Sequence, residues 1–289
     1  MRKAVYILVK SLVWIISKLP FWALYALADI LFLLTYYVFG YRKKVVYDNL
    51  KLAFANWDEK QLKKTRKAFY RHFCDFVLET IKSYTISQKE AEKRFVYTNL
   101  EVLKPVFNSN RSILLWCGHY ASWEWAGIMQ KHIPVQGYAV YKKLEDPSFD
   151  AMVRKIRGRF GGIIVNNKQI VSTLFRNKKE EVPSITLMLS DQTPRPTVAK
   201  HWEPFMGVKV PVFTGGEELG RRLDLVHLYL HVEKVKRGHY EARLVPLHPS
   251  ADNPYPVTRS FLDALEGQIQ EAPEYYLWSH KRWKYREQD

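Results

Sequence analysis

Two apolar segments stand in tandem at the start of the chain. Residues 4–16 (AVYILVKSLVWII) are apolar except Lys10 and Ser11, and Lys3, Lys10 and Ser17 recur every seven residues. That spacing puts them on one helical face. The pattern predicts an amphipathic helix lying on a membrane, its basic side toward the head groups. After Pro20, residues 21–39 (FWALYALADILFLLTYYVF) are apolar at seventeen of nineteen positions. A helix of that length spans about 28 Å, close to a hydrocarbon core. Asp29 sits at its middle and costs about 2.5–3.5 kcal/mol at the bilayer centre. Ten Leu, Ile, Phe and Val residues return about 0.3–0.6 kcal/mol each. The two terms are comparable, so a spanning helix, a deep monotopic helix and a buried core helix all stay open.

Ala26-Leu27-Ala28 mimics a signal-peptide cleavage site. Lys10 interrupts the apolar region, however, and cleavage would leave ILFLLTYYVF exposed, so no processing is expected. Arg42, Lys43 and Lys44 follow the apolar run, while Arg2, Lys3, Lys10 and Lys18 precede or interrupt it. The flank at 42–44 favours a cytoplasmic catalytic domain.

From Glu59 to Ser83, Leu62, Phe69, Phe73, Phe76, Val77 and Ile81 fall at helical spacing, with Lys and Arg on the other face. Beyond residue 95 short apolar runs alternate with helical stretches. The runs at 112–117, 137–141, 163–165, 184–190, 225–232 and 240–245 predict strands. Helices are predicted over 122–131, 147–160, 167–177, 215–223 and 257–271. Such alternation implies an α/β fold, a central mostly parallel sheet flanked by helices. Without internal repeats or a low-complexity linker, the expected organisation is an anchoring segment, 1–44, and one larger domain, 45–289.

Composition narrows the partners. The 289 residues carry 45 Lys+Arg against 29 Asp+Glu, a net charge of +16. A hydrophobic share of 47% excludes global disorder. Two cysteines, Cys74 and Cys117, exclude a disulfide scaffold and a four-cysteine zinc site, and read as buried thiols in a reducing compartment. No glycine-rich phosphate loop is present. The charge calls for an anionic partner: nucleic acid, membrane, phosphorylated substrate or an acidic carrier protein.

The sharpest chemical feature follows the predicted strand 112–117: Gly118-His119-Tyr120-Ala121-Ser122-Trp123-Glu124-Trp125. A histidine leaves the carboxyl end of a strand and enters a helix, where ligands of α/β proteins bind. On a regular helix His119 and Glu124 would lie about 140° apart, so they meet only if His119 sits in the preceding turn. A carboxylate on one imidazole nitrogen fixes the tautomer and leaves the other as a base. Spacing alone is weak evidence, since a chain with nine histidines and 29 acidic residues should show it about once by chance. A capping or core histidine is the plain alternative.

Here the sequence resembles the glycerolipid acyltransferase superfamily, whose signature is H-x-x-x-x-[DE], and within it the lipid A late acyltransferases (lauroyl/myristoyl acyltransferases). The likeness covers nearly the whole chain. Arg42 with VVYDNLKLAF looks like that branch's R…N-L…F-P element, with Ala55 in place of Pro. YAVYKKLEDPSFDAMVRKIRGRFG resembles its Tyr-Arg…N-P…R-x-x-x-G block, with Lys142 in place of Arg. LSDQTPR, PFMGVKVPVFTGGEELGRR and YYLWSHKRWKYR are similar to its remaining blocks, in the right order. The F-P-E-G-[ST]-R element of the glycerol-phosphate and lysophosphatidate branches is absent, which argues against those acceptors.

The resemblance implies transfer of a fatty acyl chain from a thioester to a hydroxyl of a lipid A precursor, at the cytoplasmic face of the cell inner membrane. The implied donor is acyl carrier protein, or acyl-coenzyme A; no metal, cofactor or nucleic acid is expected. His119 would take the acceptor's proton, oriented by Glu124. Ser122 is read as a helix N-cap rather than a nucleophile. Arg157 occupies the R-x-x-x-G position and is a candidate for the thioester oxygen or a phosphate, against a solvated face with Arg154, Lys155 and Arg159. Asp191 and Gln192 end a strand, with Asp191 a candidate partner for site cations such as Arg195, or a structural turn before Pro194. The segment His280–Arg286 interleaves charge and aromatics as nucleic-acid binders do, but suits lipid phosphates and the interfacial belt better. His227, His231 and His239 read as strand or turn residues. Two other readings stay open: acylation of another glycolipid or aminolipid, and a silent membrane-tethered binding protein.

Overall fold

A computed structural model describes residues 2–249 and 252–287. The side chains of Arg2 and Lys3, two of the basic flank residues, lie outside the described part. Helices α1 (Arg2–Lys18) and α2 (Phe21–Leu33) occupy the two apolar segments, and α2 runs on into a π-helical turn, Leu34–Val38. Phe21–Val38 is long and apolar enough to cross a membrane by length and composition. One of its faces is buried: Leu24, Ala28, Phe32 and Tyr36 follow a four-residue period into the core. Asp29 is not left in an apolar setting, because Arg237 reaches it at 2.7 Å.

Helix α3 (Lys43–Ala53) precedes α4 (Glu59–Lys82). Asp58 and Gln61 form a capping box at the start of α4, satisfying two otherwise orphan backbone donors. Of the apolar stripe read from sequence, Leu62 and Phe69 are buried in the core and Phe73 and Ile81 pack against it, with Leu78, which the stripe had not included, buried beside them. Helices α5 (Gln88–Arg94) and α6 (Leu103–Asn108) flank β1 (Phe95–Tyr97).

The sheet is assembled from β1, β2 (Ile113–Cys117), β3 (Gln136–Tyr141), β4 (Ile163–Asn166) and β5 (Ser184–Leu189), followed by β8 (Val226–Lys236) and β9 (His239–Pro246). Its order is β1-β9-β8-β2-β5-β3-β4. Every neighbouring pair is parallel except the β8–β9 hairpin, so the α/β layer architecture expected from alternation is observed. All five residues of β2 are buried, as a central parallel strand covered on both faces requires. Helices α7 (Pro147–Arg157), α8 (Ile170–Lys179), α9 (Gly215–Leu223) and α10 (Pro256–Glu271) supply the crossovers and cover. Asp146 caps α7 by accepting from Ser148 and Phe149, with Pro147 at the first helical position.

The structure adds elements that the sequence reading lacked, β1 and helices α3, α5 and α6, ends the helix predicted over 147–160 at Arg157, and departs from the reading elsewhere as well. Residues 122–131 form 3₁₀ turns over Trp123–Lys131 rather than an α-helix. A second, two-stranded antiparallel sheet, β6 (His201–Phe205) with β7 (Val208–Val212), stands apart from the main one. Its strands carry Pro204 and Pro211, which argue against a strand in sequence but are tolerated where few ladder bonds are needed. Finally, β8 continues four residues past the predicted 225–232, because its polar end, Glu233–Lys236, pairs with β9.

Candidate active site

β2 and β5 are parallel neighbours, with Cys117 opposite Leu189. The segments leaving their carboxyl ends must therefore run side by side, and Ser190 N–H donates to the Cys117 carbonyl at 3.1 Å. Two residues beyond each strand stand His119 and Asp191. The Asp191 carboxylate takes both hydrogen bonds that the histidine offers: backbone N–H to Oδ2 at 3.0 Å and Nδ1 to Oδ1 at 2.6 Å. Asp191 is 2% exposed. Gly118 precedes the histidine, and a Cβ there would lie 2.6 Å from Leu265 Cδ1 and displace that side chain.

With Nδ1–H given to Asp191, Nε2 of His119 is the nitrogen left as a base. It stands 3.3 Å from the side-chain amide nitrogen of Gln192. The ring meets Trp123 edge-on at 5.1 Å. Burial pushes the Asp191 carboxyl up, but the His119 charge and the hydrogen bonds from its ring and backbone outweigh this and hold it below the usual range.

Glu124 does not orient His119 in this structure; it forms a two-point ion pair with Arg157, Nη2 to Oε1 at 2.5 Å and Nε to Oε2 at 2.9 Å. The reason is local backbone. Ala121 takes a left-handed conformation, φ 51°, and 3₁₀ turns follow it, so Glu124 projects toward α7. Burial lowers the Arg157 pKa, yet the Glu124 hydrogen bond and charge more than compensate and raise it. His119, Glu124, Arg157 and Gln192 all line one cavity of about 420 Å³, together with Trp123, Lys142, Asn167 and Phe213 among others; Asp191 does not reach it and acts through His119. A narrower apolar cavity lies alongside. It shares Gly127, Ala139, Arg157, Ile164 and Leu187 with the first and continues past Met129 and Ile133.

Arg195 is exposed at the start of a 3₁₀ turn, Pro196–Val198, and is not brought to the cavity. Ser122 occupies the N-cap position before Trp123 but makes no capping hydrogen bond. The segment His280–Arg286 is only partly a surface. Arg282 is buried, its guanidinium 5.0 Å from the Phe205 ring and Nη1 donating to the Pro211 carbonyl. Trp283 is buried against Trp278, leaving Lys281, Lys284 and Arg286 exposed. His227 and His231 lie on β8 and His239 opens β9. Cys74 and Cys117 are buried free thiols.

Two features escaped sequence reading. The carboxylate for His119 is Asp191, 72 positions away; the signal was the order of the strands, which sequence alone does not state. The apolar extension is the other, lined by small and apolar residues of β1 to β5 and of the Trp123–Lys131 turns.

Comparison with known proteins gives the family. The model of the bacterial lipid A biosynthesis acyltransferases matches residues 1–285. The chain belongs to that family. It is also similar to the lipid A biosynthesis lauroyltransferase of Escherichia coli (strain K12), 24% identical over 280 residues, covering 96% of this chain and 90% of that protein. The chain is thus an O-acyltransferase of lipid A synthesis, a reaction that joins an acyl thioester to a lipid acceptor.

For a lipid A acyltransferase the His119–Asp191 contact has a measurable signature. A carboxyl with a lowered folded pKa contributes stability above its unfolded value, about 3.9, and loses it as pH falls through the lower folded value. In urea unfolding, the stability that wild type gains from this carboxylate over Asp191→Asn should be lost as pH falls below about 4.

Proposed function

We propose that this enzyme moves an acyl chain from acyl carrier protein to a hydroxyl of a lipid A precursor at the cytoplasmic face of the inner membrane, with His119 as general base. The observation that carries the reading is the imidazole itself. Asp191 fixes its tautomer, and the ring lines a cavity that Arg157 also lines and that an apolar cavity adjoins.

In the proposed reaction the acceptor hydroxyl gives its proton to Nε2 as its oxygen attacks the thioester carbonyl. Asp191 stabilises the imidazolium that forms, as a buried carboxylate on Nδ1 does in acyl-transfer triads. Arg157, held by Glu124, retains N–H donors for the carbonyl oxygen as negative charge develops there. When the tetrahedral centre collapses, the C–S bond breaks and His119 returns the proton to the leaving thiolate. Glu124 then acts through Arg157 rather than through the histidine. The apolar extension suits the acyl chain.

Membrane association is supported by side chains that water would not favour. Leu8, Leu12, Trp14 and Ile15 on α1 are exposed, as are Trp22, Ile30, Leu33 and Phe39 on and after α2. A row of this size is more than the scattered apolar exposure of ordinary surfaces. We infer a monotopic seat. Because the opposite face of α2 packs on α4 and Asp29 is ion-paired to the β8–β9 turn, a spanning pose would carry α4 and that turn into hydrocarbon. The basic rim supports an acidic donor: Lys142, Lys143, Arg154 and Lys155 are exposed around the cavity mouth and on α7.

His119→Ala should lower kcat by about 10²–10⁴-fold, the worth of general-base assistance, with the protein still folded; turnover like wild type would refute the mechanism. Arg154→Glu should raise KM for acyl carrier protein more than for acyl-coenzyme A. Added salt should slow the carrier-protein reaction more steeply, since long-range attraction is screened beyond about 8 Å at physiological ionic strength. Equal salt slopes for both donors would sink the donor assignment. The double variant Trp22→Glu/Phe39→Glu should move protein from sedimented vesicles to the supernatant without lowering Tm in detergent, because both side chains already face outward.

A further inference from the structure

Beneath the His119 loop lies a buried polar group that the acyl-transfer chemistry does not use. His72, on α4, is buried, with its ring edge-on to Tyr275 at 4.8 Å. Its Nδ1 stands 3.2 Å from Lys234 Nζ, and its Nε2 stands 3.2 Å from the Ala121 carbonyl. A lysine ammonium only donates and a carbonyl only accepts. Both contacts are satisfied by one form alone, the neutral imidazole with its proton on Nε2. Burial and the Lys234 charge hold the His72 pKa well below its ordinary value, which keeps it neutral.

The carbonyl it holds belongs to a residue under constraint. Ala121 has φ 51°, a left-handed conformation unfavourable for any residue with a Cβ. Its N–H donates to the Tyr275 carbonyl at 3.0 Å, so both of its polar backbone groups are tied. His119 lies two residues before it. Lys234 is in turn fixed by Asp75 at 3.5 Å, and Asp75 shares Arg237 with Asp29 of α2. The turn carrying Arg237 is seated closely on α2, for a Cβ on Gly238 would overlap the Tyr25 hydroxyl. A continuous chain of paired groups thus runs from the apolar helix to the backbone beside His119.

We propose that His72 is a positioning residue for acyl transfer: held by Lys234 as the tautomer that donates from Nε2, it locks the Ala121 carbonyl and so sets where His119 presents its base. The proposal rests on His119 acting as the base. It differs from a packing role in what it demands of the side chain. Glutamine can reproduce both contacts, with its amide N–H to Ala121 and its oxygen to Lys234, and it does not titrate. Phenylalanine fills the same space and makes neither.

The test is steady-state kinetics on full-length His72→Gln and His72→Phe, with the nitrogen chemical shifts of ¹⁵N-histidine-labelled protein read alongside. His72→Gln should keep kcat within about threefold of wild type. His72→Phe should lose about 10–100-fold in kcat, the scale of a small misplacement of a reacting group, with KM for both substrates within about twofold. The His72 ring should show the Nε2–H tautomer in wild type and lose that preference in Lys234→Met. Wild-type kcat in His72→Phe would overturn the proposal, and so would a loss in His72→Gln as deep as in His72→Phe. If His72→Phe does not fold, the tautomer decides together with His72→Gln: an Nδ1–H form in wild type refutes the positioning role. Wild-type turnover in His119→Ala would instead remove the base assignment while leaving the tautomer result standing.

Discussion

The parallel pairing of β2 with β5 is the constraint on which the site depends. In a parallel pair both strands end on the same side, so the chains that leave them are neighbours without any further device. The register is pinned by burial. β2 is enclosed on both faces, and a slip of one residue would exchange its two faces. Given Cys117 opposite Leu189, a residue two places past each end has little choice but to meet the other. That His119 offers the same carboxylate both its ring and its backbone N–H follows from this closeness. The histidine is held at two points by one buried acid, which leaves its ring little freedom to turn.

The ends of the chain then close over this junction. The Leu277 N–H donates to the His119 carbonyl and the Ala121 N–H to the Tyr275 carbonyl, so the C-terminal segment lies along the histidine loop as a strap. The strap is itself held from the other terminus. Asn49 donates to the carbonyls of both Trp278 and His280 at 2.8 Å, and Arg42 donates to that of Ser279 at 2.9 Å. Buried carbonyls in an irregular segment must find donors, and these side chains supply them. Blocks at opposite ends of the sequence are therefore parts of one assembly around the site.

Much of this architecture was legible in the sequence because it rests on local pattern. The α4 stripe and the alternation of apolar runs with helical stretches after residue 95 identified the layered parallel sheet, and α9 was located to the residue. His119, Glu124, Arg157, Asp191 and Gln192 were all found as candidates, and they do converge. Their pairing was not legible. Glu124 is near His119 in sequence, whereas Asp191 becomes near only once β5 is placed beside β2. The C-terminal HKRWKYR block misled for a related reason. Its charges suggested a surface, yet Arg282 and Trp283 are among the most buried side chains, because packing on Phe205 and Trp278 turns this adjacent pair inward. Asp29 likewise read as a cost to an apolar helix. Its partner, Arg237, lies 208 positions away, on a turn whose fold position no local pattern announces.

The observed pairing also explains why the carboxylates divide as they do. Burying a charge is costly unless an opposite charge and hydrogen bonds accompany it. Asp191 and Glu124 are almost wholly enclosed, at 2% and 8% exposure. Were Glu124 turned to His119, Asp191 would crowd the same imidazole with like charge and Arg157 would lose its counterion. With each acid on its own partner, Glu124 is matched by the Arg157 guanidinium and Asp191 by the ring and backbone N–H of His119. In the proposed reaction, proton transfer from the acceptor hydroxyl to His119 sets a cation beside Asp191 as negative charge develops on the thioester carbonyl oxygen. The summed charge in the cavity stays constant while its negative end moves from the sheet edge toward Arg157. A low-dielectric pocket penalises net charge far more than it penalises the displacement of charge between prepared partners. Two separate pairs, rather than one shared cluster, are what would allow that displacement in the proposed reaction.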